Sequence, residues 1–368
     1  MSWHLLESTA ALDAVLSDHA GAAYVAVDTE FRRRDTFFPQ VALVQLCWGA
    51  DAYLVDPLQL DNTDSLAALL TEPRVVKFIH SASEDLEVFA HWLGVLPSPL
   101  FDTQRAAALV GRGAGLSYRA LVAEYFEIDL PKDETQSDWL QRPLSPAQAE
   151  YAAQDVSYLH PIGCSLLERA AEMRRLEWVL EEGERMAPGG KPPLSKFKSA
   201  YKLPLAQQRV LSAVVDWREH EARHRDRPRS WILSDKLVSA LARVKPRSVA
   251  ALSAIDEMPQ GLVRRAGERL VSLIQAADDS EGGPPPALSP APLNSQGRQL
   301  LSGLSEQLLE MARCMDIPPE VLMPKADLEH LIRQQSDPDL PSPSVWHGWR
   351  DALVVQPLRR WLADHPAG

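Results

Sequence analysis

Four carboxylates and one phenol are the residues of this chain best suited to chemistry. They are Asp28 and Glu30 in VDTEF, Asp85 in HSASEDLEVF, and Tyr151 with Asp155 in EYAAQDVSYL. In that order they suit a two-metal site for cutting a phosphodiester. Magnesium prefers hard oxygen ligands and keeps much of its water, so a few carboxylates plus substrate phosphate oxygens make its usual cage; manganese accepts the same donors. No histidine or cysteine cluster competes with that assignment.

Such side chains act together only if local structure aims them at one place. Tyr24 to Val27 (YVAV) is apolar and β-branched enough for a buried strand, and residues two apart on a strand share a face, so Asp28 and Glu30 converge at its end. Val75 to Ile79 (VVKFI) reads as a second buried strand leading through His80 into a helix. Ser83 is the expected cap of that helix, which puts Asp85 in its first turn, where an anion is favoured. After Pro146, AQAEYAAQDVSYL has helical composition, with Tyr151 and Asp155 one turn apart on one face. Strand end, helix start and helix face can then meet in a single cleft.

The segments also resemble a known family in order and in flanking sequence. VDTEFRRRDTFFPQVALVQL, KFIHSASEDLEVF and EYAAQDVSYL, with FDTQRAA and QSDWLQRPLS between the last two, are similar to ribonuclease D. That family belongs to the DEDD superfamily of 3′ to 5′ exonucleases, in the branch whose third motif is Tyr-x-x-x-Asp. The resemblance implies an α/β, ribonuclease H-like exonuclease domain with a mixed sheet, followed by two all-α HRDC-like domains. It implies two divalent metal ions, Mg²⁺ or Mn²⁺: Asp28, Glu30 and Asp155 hold one, Asp28 bridges to the second, and Asp85 supports the second through water. Tyr151 would orient the attacking water, because a phenol with a pKa of about 10 is a poor base at neutral pH. The implied reaction releases 5′-mononucleotides from RNA with a free 3′ end, notably transfer RNA precursors. The residues themselves leave RNA and DNA open, since recognition of a 2′-hydroxyl is a matter of geometry. Two other readings use the same fold: a DNA 3′ exonuclease, and a silent RNA-binding scaffold, against which the full set of five residues argues.

Composition bounds the rest. With 368 residues and 45% hydrophobic content the chain can bury a large core in two or three domains. Three scattered cysteines suggest a reducing compartment, and no apolar run approaches the ~20 residues needed to span a bilayer. The expectation is a cytoplasmic monomer. The net charge of -12 is uneven: residues 1–187 sum to -15 and residues 188–247 to +9. A basic segment beside an acidic catalytic domain is the footprint of phosphate binding. Candidate RNA contacts are Arg32, Arg34, Lys132, Lys196, Lys198, Lys202, Arg223, Arg225 and Arg227. Phe37, Phe38 and Trp139 are candidates for base stacking or for core.

Pro- and Gly-rich stretches at APGGKPPLS and EGGPPPALSPAPL break the pattern. The expected division is an exonuclease domain over 1–187, a basic linker over 188–204, an HRDC domain over 205–281, a Pro-rich linker over 282–293 and a second, degenerate HRDC-like domain over 294–368. The last rests on a weak repeat, ARHRDRPRSWILSDKLVSALAR against ARCMDIPPEVLMPKADLEHLIR, from Ala222 and Ala312. The acidic balance of the second copy points it toward packing or substrate-path shaping.

Overall fold

The computed structural model describes residues 2–130, 134, 137–280, 286 and 288–365. Six strands form one mixed sheet: β1 (Ser2–Leu6), β2 (Tyr24–Arg32), β3 (Gln40–Cys47), β4 (Asp51–Val55), β5 (Val76–Ile79) and β6 (Leu100–Asp102). Their order is β1-β4-β3-β2-β5-β6. β3 runs antiparallel to both β2 and β4, while β1 with β4, β2 with β5 and β5 with β6 are parallel. In β2, Asp28 pairs with Gln45 and Glu30 with Leu43, and the register slips immediately after Glu30. A bulge there twists the strand and re-aims the side chains around it.

Strand alternation divides the core. Val25, Val27, Val44, Leu46 and Ile79 face α1 (Thr9–Asp18), α2 (Asp64–Thr71) and α3 (Ser83–Trp92). Ala26, Leu43, Cys47, Leu54 and Phe78 face the opposite layer. That layer is built from α4 (Thr103–Leu109), α5 (Tyr118–Phe126), α6 (Pro146–Ser157), α7 (Leu159–Glu172) and α8 (Leu176–Glu184). Because both faces are covered, the strands read as nearly continuous apolar runs, and each fully buried Val, Leu or Phe contributes roughly 1.5–3 kcal/mol. α7 comes so close to the sheet at Gly163 that a Cβ there would strike the Phe78 ring.

Chain contacts define two compact units, the first being Met1–Arg32, Gln40–Gly189 and Leu293–Gly368. In the helical region the order is α9 (Leu205–His224), α10 (Arg229–Ile232), α11 (Asp235–Val244), α12 (Val249–Ser253) and α13 (Gln260–Asp278). After these come α14 (Ser295–Met315), α15 (Pro319–Leu322), α16 (Lys325–Ser336), α17 (Gly348–Arg350) and α18 (Gln356–Asp364). The C-terminal helices therefore share a unit with the sheet. Trp349 stacks on Trp178 of α8 with ring centroids 4.7 Å apart. Arg350, 5% exposed, donates to Glu182 at 2.5 Å and to the Val321 carbonyl at 2.6 Å. Arg175 donates to the carbonyls of Leu109 and Met315.

The second unit is Arg33–Pro39 with Gly190–Pro292. Phe37 is 3% exposed and belongs to this unit's core, with Val210, Val214, Trp217, Leu241 and Leu270. Asp226 accepts hydrogen bonds from the amides of Phe37 and Phe38, both at 2.9 Å, and the guanidinium groups of Arg223 and Arg229 lie over the Phe37 ring. The weak sequence repeat has a backbone counterpart. In both copies a long helix ends beside an aspartate with positive φ, Asp226 at 45° and Asp316 at 51°, and a proline, a short helix and a longer helix follow. Aspartate is among the few residues that enter this left-handed region at modest cost.

Candidate active site

β2 delivers two carboxylates to one face and a hydroxyl to the other. Asp28 and Glu30 point toward α6, while Thr29 between them is buried on the α3 side and donates to Asp85 Oδ1 at 2.5 Å. α6 is firmly begun: Ser145 and Gln148 form a reciprocal capping box, with Pro146 in the first turn. From it come Tyr151 and Asp155. Oxygens of Asp28, Glu30 and Asp155 all lie within 4.8 Å of one another. Asp85 stands apart from this trio, 7% exposed and bonded to Thr29. A cleft of about 340 Å³ opens over the trio, lined also by Tyr151, His80, Tyr118 and Arg119.

Electrostatics make this cluster costly without a counter-charge. Burial, then the neighbouring Asp155, pushes the Asp28 carboxyl well above its ordinary range. Glu30 is raised by burial and by Asp28, Asp155 and Asp85. Asp85 is raised by burial and by Asp28, against the opposing pull of the Thr29 bond. Burial pushes Asp155 up to about 7. Like charges held together in a poorly solvated place bind protons or a cation. A site offering only carboxylate oxygens matches a hard divalent cation, so these residues fit magnesium or manganese.

The helix start at Asp85 differs from expectation. The residue at the cap is Ala82, with no side-chain cap of its own, and Ser83 is the first helical residue. The Ala82 amide donates instead to Asp102 Oδ2 at 2.9 Å, while Asp102 Oδ1 caps α4 by accepting from Arg105 at 2.9 Å. One aspartate, 1% exposed and drawn from FDTQRAA, thus ties two helix starts together beneath the site. His80, whose Nδ1 lies 3.0 Å from the Thr103 hydroxyl, and Tyr118, whose hydroxyl donates to the Gln154 carbonyl at 2.8 Å, also line the cleft. Burial lowers the His80 pKa, and burial with Asp155 and Asp28 raises that of Tyr118 far above the phenol range. The placement of His80 in HSASED was the only sequence signal for these wall residues.

The other candidates are dispersed. Trp139 is 2% exposed and packs against Tyr151 with centroids 5.9 Å apart, a core position. Arg32 donates to the Gln40 side chain at 3.0 Å across the β2–β3 pair, and Arg34 is exposed. Lys132 lies outside the described residues. In the second unit Lys196, Lys198, Lys202 and Arg225 are exposed. Arg223 pairs with Glu219, and Arg227 donates to the Asp35 carbonyl at 3.1 Å and lies over Trp231. Trp231, which was not a sequence candidate, is 62% exposed.

Comparison with known proteins places these features among relatives. A 3′-5′ exonuclease family model matches residues 4–170, and an HRDC domain model matches residues 207–274. Ribonuclease D of Pseudomonas paraeruginosa is 39% identical over 343 residues, covering 91% of each chain. Ribonuclease D of Escherichia coli is 30% identical over the full length of both. The crystal structure of the E. coli enzyme, described as an exoribonuclease involved in structured RNA processing, superposes with a TM-score of 0.85 and covers 100% of both chains. The catalytic core of RRP6 from Trypanosoma brucei shares the fold at 22% identity, with a TM-score of 0.56 over 75% of this chain and 79% of that one.

Proposed function

Because the chain belongs to the ribonuclease D family of hydrolytic 3′ to 5′ exoribonucleases, we propose that it trims the 3′ ends of structured RNA. Transfer RNA precursors are the intended substrates and 5′-mononucleotides the products, with two Mg²⁺ or Mn²⁺ ions required. The observation that carries this reading is the convergence of Asp28, Glu30 and Asp155 within 4.8 Å in a cleft that Tyr151 also lines. Structured RNA follows from the description of the E. coli relative. Among the described residues no helix is long and apolar enough to cross a membrane, and all three cysteines are unpaired. Unpaired cysteines fit a reducing compartment, so the reading places the enzyme in the cytoplasm.

Asp28, Glu30 and Asp155 would hold one cation, Asp28 would be shared with the second, and Asp85 would support the second through water. When bound, such ions stabilise the charge that builds on the phosphate and on its leaving oxygen. The chain supplies placement. β2 holds Asp28 and Glu30 on one face, Thr29 keeps the Asp85 carboxylate turned toward β2, and the capped α6 fixes Asp155 relative to both. Tyr151, packed against Trp139, orients the attacking water. Exposed Lys196, Lys198, Lys202 and Arg225 offer counter-charge to an RNA backbone.

The test uses matched RNA and DNA oligomers labelled at the 5′ end, with Mg²⁺ or with a chelator. A descending ladder on RNA in Mg²⁺ alone is expected. Asp28→Asn keeps the shape and removes the charge, and should lower the rate at least about a thousandfold, roughly 4 kcal/mol of barrier. Equal degradation of DNA would overturn the substrate assignment, and near-normal turnover by Asp28→Asn would overturn the metal site.

A further inference from the structure

Gln45 is a polar side chain sealed inside the sheet, and neither its Oε1 nor its Nε2 has a hydrogen-bond partner among the described residues. The residue has no exposed surface. Its place is specific. β3 lies between β2 and β4 in the sheet, and Gln45 pairs directly with Asp28 on one side and Leu54 on the other. Directly paired residues in an antiparallel ladder share a face, with Cβ atoms about 4.5–5.5 Å apart. Gln45 therefore stands beside Asp28 on the face that α6 covers, between the buried Leu43 and Cys47.

A carboxamide in such a place is expensive to keep. Burying both its donor and its acceptor without partners costs stability, and at this position leucine or methionine would fill the same volume with no polar atoms. Groups of this kind are normally satisfied by an ordered water or serve a site. The neighbouring group that needs orienting is the Asp28 carboxylate, which can both accept from the amide nitrogen and share a water with it. We infer that Gln45 is a positioning residue for the carboxylate cluster, its carboxamide holding Asp28 through a water buried between the two side chains. The inference rests on the proposed role of Asp28 as a ligand and adds a residue that touches neither substrate nor ion. Partners behind a ligand in this manner commonly govern metal affinity by 10- to 100-fold.

The experiment compares wild type with Gln45→Met, Gln45→Leu and Asp28→Asn, all full length. Mn²⁺ alone is titrated calorimetrically at a temperature where every variant is folded, and chelator-treated samples are melted. If Gln45 positions Asp28, both Gln45 variants should melt at or above the wild-type temperature yet bind Mn²⁺ at least tenfold more weakly. Their kcat should fall at limiting Mn²⁺ and recover in part at high Mn²⁺, while KM for RNA stays near normal. A merely structural glutamine predicts the opposite pattern, with altered melting and unchanged Mn²⁺ affinity. Wild-type affinity in either Gln45 variant, with affinity lost in Asp28→Asn, overturns the inference and leaves the metal site standing. Wild-type affinity in Asp28→Asn overturns both.

Discussion

Replacing Asp155 by Asn should destroy catalysis and yet stabilise the metal-free protein, and the size and pH dependence of that gain follow from the site. Burial pushes the folded Asp155 carboxyl up to about 7; an unfolded aspartate lies near 3.9, and each unit of difference is worth about 1.36 kcal/mol. Below about pH 4 the group is protonated in both states and contributes no penalty. As the pH rises, the unfolded chain ionises first and stability falls, until the folded carboxyl also ionises near pH 7 and the penalty levels off. The full difference is about 4 kcal/mol, and water in the open cleft screens it, so roughly 2–4 kcal/mol is expected at pH 8. For a unit of this size each kcal/mol moves the melting temperature by about 2–4 °C. The assay is thermal unfolding of wild type and Asp155→Asn in chelator from pH 4 to pH 8.5, then in Mn²⁺. The variant should melt at least about 4 °C higher at pH 8, lose that advantage toward pH 4, and gain far less than wild type from Mn²⁺. A gain that persists at pH 4, or equal stabilisation of both proteins by Mn²⁺, would refute the reasoning.

Tyr151→Phe should slow hydrolysis at least about tenfold while leaving Mn²⁺ titration near normal, because the phenol is assigned to water and not to the ion; loss of metal binding would contradict that role. Changing Lys196, Lys198 and Lys202 together to Ala should flatten the logarithmic salt dependence of KM on long RNA by up to about 2, at ~0.7 per neutralised phosphate. An unchanged slope would make them solvated surface. Glu182→Ala strands the buried Arg350 and should cost about 3–5 kcal/mol of stability, read by urea unfolding. Ending the chain at Gly189 should lower the stability of the nuclease unit, since it exposes Trp178 and leaves Glu182 without Arg350. A melting temperature equal to that of the full chain would argue that the C-terminal helices only lean on the sheet.

The grouping of the carboxylates was legible in the sequence because strand and helix periods fix which side chains share a face before any packing is known. Parity along β2 puts Asp28 and Glu30 together, and one helical turn puts Tyr151 with Asp155. The repeat at Ala222 and Ala312 was readable for a similar reason: an aspartate that accepts positive φ, followed shortly by proline, ends a helix locally. Pairings between distant segments were not readable. Asp102 displaced Ser83 as the partner of the α3 start because sheet order brings β6 next to β5. Phe37 was ambiguous until Asp226, 189 residues away in sequence, received its amide.

Counting charges could not show which cations already have a partner: Lys245 and Arg247 in the +9 segment share Asp278, and Arg218 is buried on Asp235. Pro- and Gly-rich linkers marked where the chain leaves a helix but carried no information on which core receives it next. The stacking of Trp349 on Trp178, the capture of Arg350 by Glu182 and the bond from Arg175 to the Met315 carbonyl join the last helices to the layer that covers the sheet. Gln45 reads in sequence as one polar letter in a strand. Its isolation beside Asp28 exists only once β2, β3 and α6 close over it, because the cost of an unbonded amide depends on what excludes water from it.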